Sequence, residues 1–429
     1  PYQSFSTYAG NPYFIDLNTL IEEGVLTKKE CDLADFGSDS RFIDYGKLYK
    51  ARYKLLRKAY ERSNISQNPE FRTFQEENAW WLDDYALFMA VKGFFQDECW
   101  DKWPEDIKKR YGYALDYYRE QLYFEIEFQK YMQFEFSIQW KKLKTYANEN
   151  GIRIIGDIPI YVAYDSADTW AHPELFQLDE ENVPLAVAGC PPDGFAADGQ
   201  LWGNPLYRWD YHRRTGYTWW MQRLSYAFYL YDVVRIDHFR GFDEYFSIPY
   251  GDTTARNGHW EKGPGIELFH RMKEVLGERD VIAEDLGYVT DSVRQMVFES
   301  GFPGMKVFEF AFDSRDTGCA GDYLPHNYPV NSVVYTGTHD NATLIGWYQD
   351  IPKEGREMLR DYIHDYTTSD RSLHWSVICR VMGSPARICM IPMQDYLGLN
   401  NTCRINTPST LGTNWKWRLL DGEFTSDLQ

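Results

Sequence analysis

Three segments of this 429-residue chain end an apolar run on a carboxylate. In Val233-Val234-Arg235-Ile236-Asp237, strand alternation puts Arg235 and Asp237 on one face and Val234 and Ile236 on the other. A guanidinium beside a carboxylate favours the anion, as a nucleophile requires; the same pair also reads as a buried structural ion pair. Val281-Ile282-Ala283-Glu284 delivers a second carboxyl, which holds its proton longer when crowded by anions in a dry pocket. Glu284 or Asp285 reads equally as an acid capping a helix. The run from Val333 to Thr338 leads into His339, Asp340 and Asn341, for which a capping or hydrogen-bonded pair is the alternative. Two carboxyls about 5–5.5 Å apart can cleave a glycosidic bond with retention. A third anion can hydrogen-bond sugar hydroxyls and favour an oxocarbenium-like transition state.

Such groups work together only if a scaffold delivers them to one end of a sheet. After Gly151 short apolar runs recur at Ile152–Val162, Asp232–Asp237, Val281–Glu284, Met305–Phe312, Ser332–Thr338 and Ala386–Ile391. Helical patterns such as Gly265–Leu276 and Asp291–Ser300 lie between them. Alternating strands and helices imply parallel pairing, and no Gly-rich phosphate loop follows any strand. The fold class expected is therefore α/β, a (β/α)8 TIM barrel, with active-site residues at the carboxyl ends of its strands. Six strands fall short of eight, so either two strands escape the pattern or, as the abrupt start favours, about two βα units, roughly 60 residues, are expected before Pro1.

Ahead of Gly151 the pattern is helical, with amphipathic stretches at Tyr45–Arg62, Ala79–Phe95 and Ile107–Leu115, then Tyr118–Asn148 as one long helix or two. Residues 1–30 are expected to be a barrel loop segment near the active site. Residues 31–150 are read as a large helical insertion, and 151–429 as the catalytic barrel with long loops forming a subdomain around 163–215.

A net charge of −19, from 45 basic and 64 acidic residues, disfavours nucleic acid and anionic membrane surfaces as partners. No run approaches the roughly 18–20 apolar residues that span a bilayer. Aromatic residues reach 17% of the chain, which suits sugar faces and large cores alike. The seven cysteines are scattered without a CxxC pair, which favours a reducing compartment. No HExxH or EF-hand spacing occurs, so neither a metal nor a cofactor is expected.

Seven blocks then carry a resemblance. PYQSFSTYAGNPYFIDL (Pro1–Leu17), GDIPIYVAYDSADTWAHPELF (Gly156–Phe176) and PPDGFAADGQLWGNPLY (Pro191–Tyr207) are joined by VVRIDHFRGFDEYF (Val233–Phe246) and VIAEDLG (Val281–Gly287). YTGTHDN (Tyr335–Asn341) and RINTPSTLGTNWKWR (Arg404–Arg418) complete the set. With these blocks the chain resembles the amylomaltases, the 4-α-glucanotransferases of glycoside hydrolase family 77, nearly end to end.

The resemblance implies Asp237 as nucleophile, Glu284 as acid/base and Asp340 as transition-state stabiliser. It matches Arg235 and His339 to residues bracing the donor sugar, and Asp157 and Tyr161 to the motif on the third barrel strand. Trp202 and Asn204 match a mobile loop over the active site, and Tyr2 an aromatic near the glucan groove. The activity implied is transfer of α-1,4-glucan segments to the 4-OH of another glucan or glucose, in starch, glycogen and maltose metabolism. The partners implied are α-1,4-glucans and maltooligosaccharides. The location implied is the cytoplasm, or a plastid if the source is a plant. A plain α-glucan hydrolase and an inactive sugar-binding barrel are the alternatives.

Overall fold

The computed structural model describes residues 2–192, 197–287, 289–312 and 320–428. Residues 193–196 of the Pro191–Tyr207 block, and Cys319, lie outside them. The chain divides into two compact units, Pro1–Asp35 with Gly46–Asp280, and Phe36–Tyr45 with Val281–Gln429.

In the first unit the short helices α1 (Leu17–Glu22) and α2 (Lys28–Asp32) precede α3 (Tyr45–Ser63) and α4 (Pro69–Phe94). Helix α4 starts well before the expected Ala79: Pro69 takes the first helical position, and Asn68 caps the helix by accepting from Glu70 N–H at 2.8 Å. The apolar pattern of Ile107–Leu115 is split into α5 (Glu105–Lys108) and α6 (Gly112–Gln121). Between them Arg110 adopts φ +56°, a left-handed conformation that a continuous helix cannot contain. Of the two readings of the next stretch, two helices is the outcome: α6 ends at Gln121 and α7 runs over Tyr123–Glu149.

The first unit's core answers the question left by composition. Trp100, Trp170, Trp220, Tyr131, Tyr207, Phe71, Phe88 and Phe176 are among the largest side chains to be fully buried. Much of the aromatic content is therefore core, where each ring removes a large apolar area from water.

All six parallel strands expected from the sequence are present. In the first unit β1 (Ile155–Ile158) pairs in parallel with a strand that, two hairpin elements later in sequence, becomes β4. Those intervening elements are β2 (Ala186–Cys190) and β3 (Gln200–Pro205); β4 is Val233–Ile236, followed by β5 (Glu244–Pro249) and β6 (His259–Lys262). In the second unit β7 (Val281–Ala283), β8 (Gly304–Val307), β9 (Ser332–Tyr335) and β10 (Ile388–Met390) pair in parallel in that order. The strand expected over Met305–Phe312 stops at Val307 and continues as a 3₁₀ turn, Phe308–Phe312. Phe308, Ala311 and Phe312 are all buried, a spacing that a turn of helix satisfies and an alternating strand does not.

The antiparallel sheet β3-β2-β5-β6 has no counterpart in the sequence reading. Its strands AVAGC and QLWGNP contain Gly or Pro, which weaken strand signals. Gly189 shows why glycine is needed: a Cβ there would lie 2.1 Å from the Gln200 carbonyl oxygen, beside a register shift in β2. Gly189→Ala is expected to pry β2 from β3 and cost about 1–3 kcal/mol, read as a lower midpoint in thermal or urea unfolding.

Candidate functional site

Strands β1 and β4 set Asp157 directly opposite Arg235. Arg235 Nη1 donates to both carboxylate oxygens of Asp157 at 2.7 Å and to Asp237 Oδ1 at 3.0 Å. The expected shared face of Arg235 and Asp237 is thus realised, and Asp157 joins it from the neighbouring strand. The Arg235 side chain is 9% exposed, against 21% for Asp237 and 39% for Asp157. A buried cation therefore holds two carboxylates that remain reachable. Such charge-assisted bonds fix position as well as charge. Asp237 ends its strand by donating its N–H to the Ile158 carbonyl at 3.1 Å.

Immediately after it, His238 takes φ +48° and starts the 3₁₀ turn Phe239–Phe242. Burial, with the charge of Arg240 alongside, pushes the imidazole down to about 3, so the ring is neutral at working pH. Its ring meets Trp202 edge-on at 4.9 Å. Trp202, on β3, donates its Nε1–H to Gln200 Oε1 at 3.0 Å. Tyr161 lies 6.2 Å from Trp202 and stacks on Tyr207 at 6.0 Å. Burial raises its phenol well above the ordinary range, keeping the proton on. Asn204 is buried and donates through Nδ2 to the Val162 carbonyl at 2.8 Å, tying β3 to the segment that carries Tyr161. Tyr2, also in the first unit, is half-buried.

In the second unit Glu284 follows β7 directly and its Oε1 accepts from Leu286 N–H at 2.8 Å. The capping alternative fails for both acids, because the next helix, Asp291–Ser300, is capped by Thr290. Asp285 instead accepts from Met305 N–H at 2.7 Å, and burial raises its carboxyl above the usual range. Asp285 braces β8, leaving Glu284 as the acid at the strand end.

His339 and Asp340 follow β9, with His339 Nε2 and Asp340 Oδ2 3.5 Å apart. They do not cap the following helix, Leu344–Asp350; Thr343 does. Asn406 Nδ2 donates to Asp340 Oδ1 at 2.5 Å, and Arg404 donates to the Asp340 carbonyl at 2.5 Å. Asn406 N–H donates to the His339 carbonyl at 3.1 Å, and the His339 ring lies 5.2 Å from Trp415. Below them Thr338 N–H and Oγ1 donate to Asn341 Oδ1 at 2.9 and 2.7 Å, closing the turn.

Arg404, Asn406, Trp415 and His238 were not singled out from sequence. All four sit inside quoted blocks, so the signal was present, but nothing local to the sequence says which side chain of a block turns toward an acid. Among the described residues no cluster of His, Cys, Asp and Glu is arranged to hold a metal ion.

A family profile described as 4-alpha-glucanotransferase matches residues 1–423. This chain belongs to the 4-alpha-glucanotransferase family. A relative named 4-alpha-glucanotransferase from Clostridium butyricum is 47% identical over 430 residues, spanning 100% of this chain and 87% of its own length. Its namesake from Streptococcus pneumoniae serotype 4 is 46% identical, over 99% of this chain and 84% of its own. The solved structure of amylomaltase from Streptococcus agalactiae in complex with acarbose matches with a TM-score of 0.95 and 38% identity, over 100% of this chain and 86% of that one. The fold class is therefore that of the family, an α/β TIM barrel, as expected from the strand–helix alternation. Barrels of this class place their chemistry at the carboxyl ends of their strands; in the first unit Asp237 follows β4 directly, and in the second Glu284 follows β7 directly.

Proposed function

We propose that this enzyme, a 4-α-glucanotransferase by family, moves α-1,4-glucan segments by double displacement, with Asp237 as nucleophile and Glu284 as acid/base. Glu284 protonates the departing glycosidic oxygen as Asp237 attacks the anomeric carbon, giving a glycosyl ester on Asp237. The 4-OH of an acceptor glucan then displaces the ester while Glu284 takes its proton. Asp340, aimed by Asn406, serves the developing positive charge on the sugar. The donor sugar is held by Arg235, Asp157 and His339, and its apolar faces by Tyr161, Trp202 and Tyr2, with Asn204 shaping the Trp202 strand.

The observation that carries this assignment is the single Arg235 nitrogen shared by Asp157 and Asp237. A purely structural ion pair needs one carboxylate. Here a buried guanidinium positions two accessible ones, which costs desolvation and is repaid by a fixed, charged nucleophile.

The ligands proposed are α-1,4-glucans and maltooligosaccharides, within starch or glycogen metabolism. No helix among the described residues is long and apolar enough to cross a membrane. Cys31, Cys99, Cys379, Cys389 and Cys403 stand as thiols, which supports a reducing compartment such as the cytoplasm. Incubation with maltotriose alone tests the activity. Transfer converts two maltotrioses into glucose and maltopentaose, so products longer than the substrate are expected by chromatography. Glucose and maltose as the sole products would assign the enzyme to hydrolysis instead.

A further inference from the structure

Strand β10 leads into a short helix, Met393–Tyr396, whose Asp395 is 1% exposed. Its carboxylate spans two points of the chain. Oδ2 accepts from the Thr336 hydroxyl at 2.5 Å, and Oδ1 accepts from Leu344 N–H at 2.7 Å. Thr336 follows β9 directly, and Leu344 opens the helix Leu344–Asp350. One buried side chain thus closes both ends of the segment 336–344, which carries His339 and Asp340.

The neighbouring residue reaches the same acid by a second route. Gln394, also buried, donates through Nε2 to the Cys403 carbonyl at 3.2 Å. The next residue, Arg404, donates to the Asp340 carbonyl, and Asn406 donates to Asp340 Oδ1. Both routes to Asp340 start from the dipeptide Gln394-Asp395.

Burial raises the Asp395 carboxyl to about 6, even though both of its hydrogen bonds favour the anion. An apolar side chain of similar size would avoid that desolvation cost. It would not supply two directional bonds to fixed points. The Asp340 side chain is 38% exposed and sits in a turn, so packing alone does not fix it. Its place depends on how the two ends of its loop are held.

We infer that Asp395 is a positioning residue for glucan transfer, setting where Asp340 meets the developing charge on the sugar. The inference rests on the role proposed for Asp340 and extends it to a buried residue outside the seven sequence blocks.

The test separates positioning from mere support of the fold. Asp395→Ala should lower kcat for maltotriose disproportionation about thirtyfold per folded molecule, and change KM less than about twofold. Thr336→Val opens one arm of the clamp with little change in volume; it should lower kcat about tenfold, and it carries the test if Asp395→Ala does not fold. Asp395→Asn keeps an oxygen for Leu344 N–H and a polar partner for Thr336, so its kcat should stay within about threefold of the parent. In an Asp340→Asn background, adding either clamp variant should slow fluoride release from α-maltosyl fluoride less than about threefold further, because the clamp acts through Asp340. Parental kcat in every clamp variant that folds, with only the unfolding midpoint lowered, would reduce Asp395 to scaffold and leave the role of Asp340 standing. Losses that multiply in full on top of Asp340→Asn would likewise overturn the inference. Parental turnover by Asp340→Asn itself would overturn the stabiliser role and this inference together.

Discussion

Replacing Asp237 with Asn is expected to abolish maltotriose disproportionation, by about 10⁴-fold or more, while circular dichroism stays close to that of the parent. The size follows from the role: an amide keeps the shape and one hydrogen-bond acceptor for Arg235, but it cannot form the glycosyl ester. Retention of more than about 1% of activity would remove Asp237 from the nucleophile's position. Some loss of stability is also expected, since the buried Arg235 gives up the charge of one carboxylate it bonds. That cost is read separately by urea unfolding, so an inactive but folded variant is distinguishable from an unfolded one.

The second large effect is expected at Glu284, and it depends on the leaving group. Glu284→Gln removes proton donation to the departing sugar oxygen, so maltotriose turnover should fall by about 10³–10⁴-fold. Fluoride leaves with little protonic help. Formation of the glycosyl-enzyme from α-maltosyl fluoride should therefore fall by less than about tenfold in the same variant. An equal loss with both donors would mean that Glu284 acts through binding or architecture and not through its proton. Its bond from Leu286 N–H survives in glutamine, which retains the accepting oxygen, so local geometry is conserved.

The parts of this site that the sequence makes legible are those governed by period two. Arg235 and Asp237 could be placed because strand alternation is rigid and the strands are short apolar runs; Asp157 came only from the family resemblance, and the structure pairs it with Arg235 residue for residue. Glu284 and Asp340 follow the same logic, each at or just beyond the end of such a run. What escapes is whatever depends on partners distant in sequence. Asn406 and Arg404 reach Asp340 across more than sixty residues from a segment of turns with no period at all. The antiparallel sheet bearing Trp202 and Asn204 is hidden because Gly189 and Gly203 interrupt the very alternation that would reveal it. Helix ends were legible where a cap spells them, as at Thr290 before Asp291, and illegible where a left-handed residue such as Arg110 breaks a continuous apolar pattern.

The most direct measurement is to trap the ester. Glu284→Gln protein incubated with α-maltosyl fluoride, quenched in acid, digested and sequenced by mass spectrometry should carry one maltosyl group on the peptide containing Asp237, on that side chain. A maltosyl group on any other residue, or release of inverted product with no adduct at any time point, would contradict Asp237 as the nucleophile.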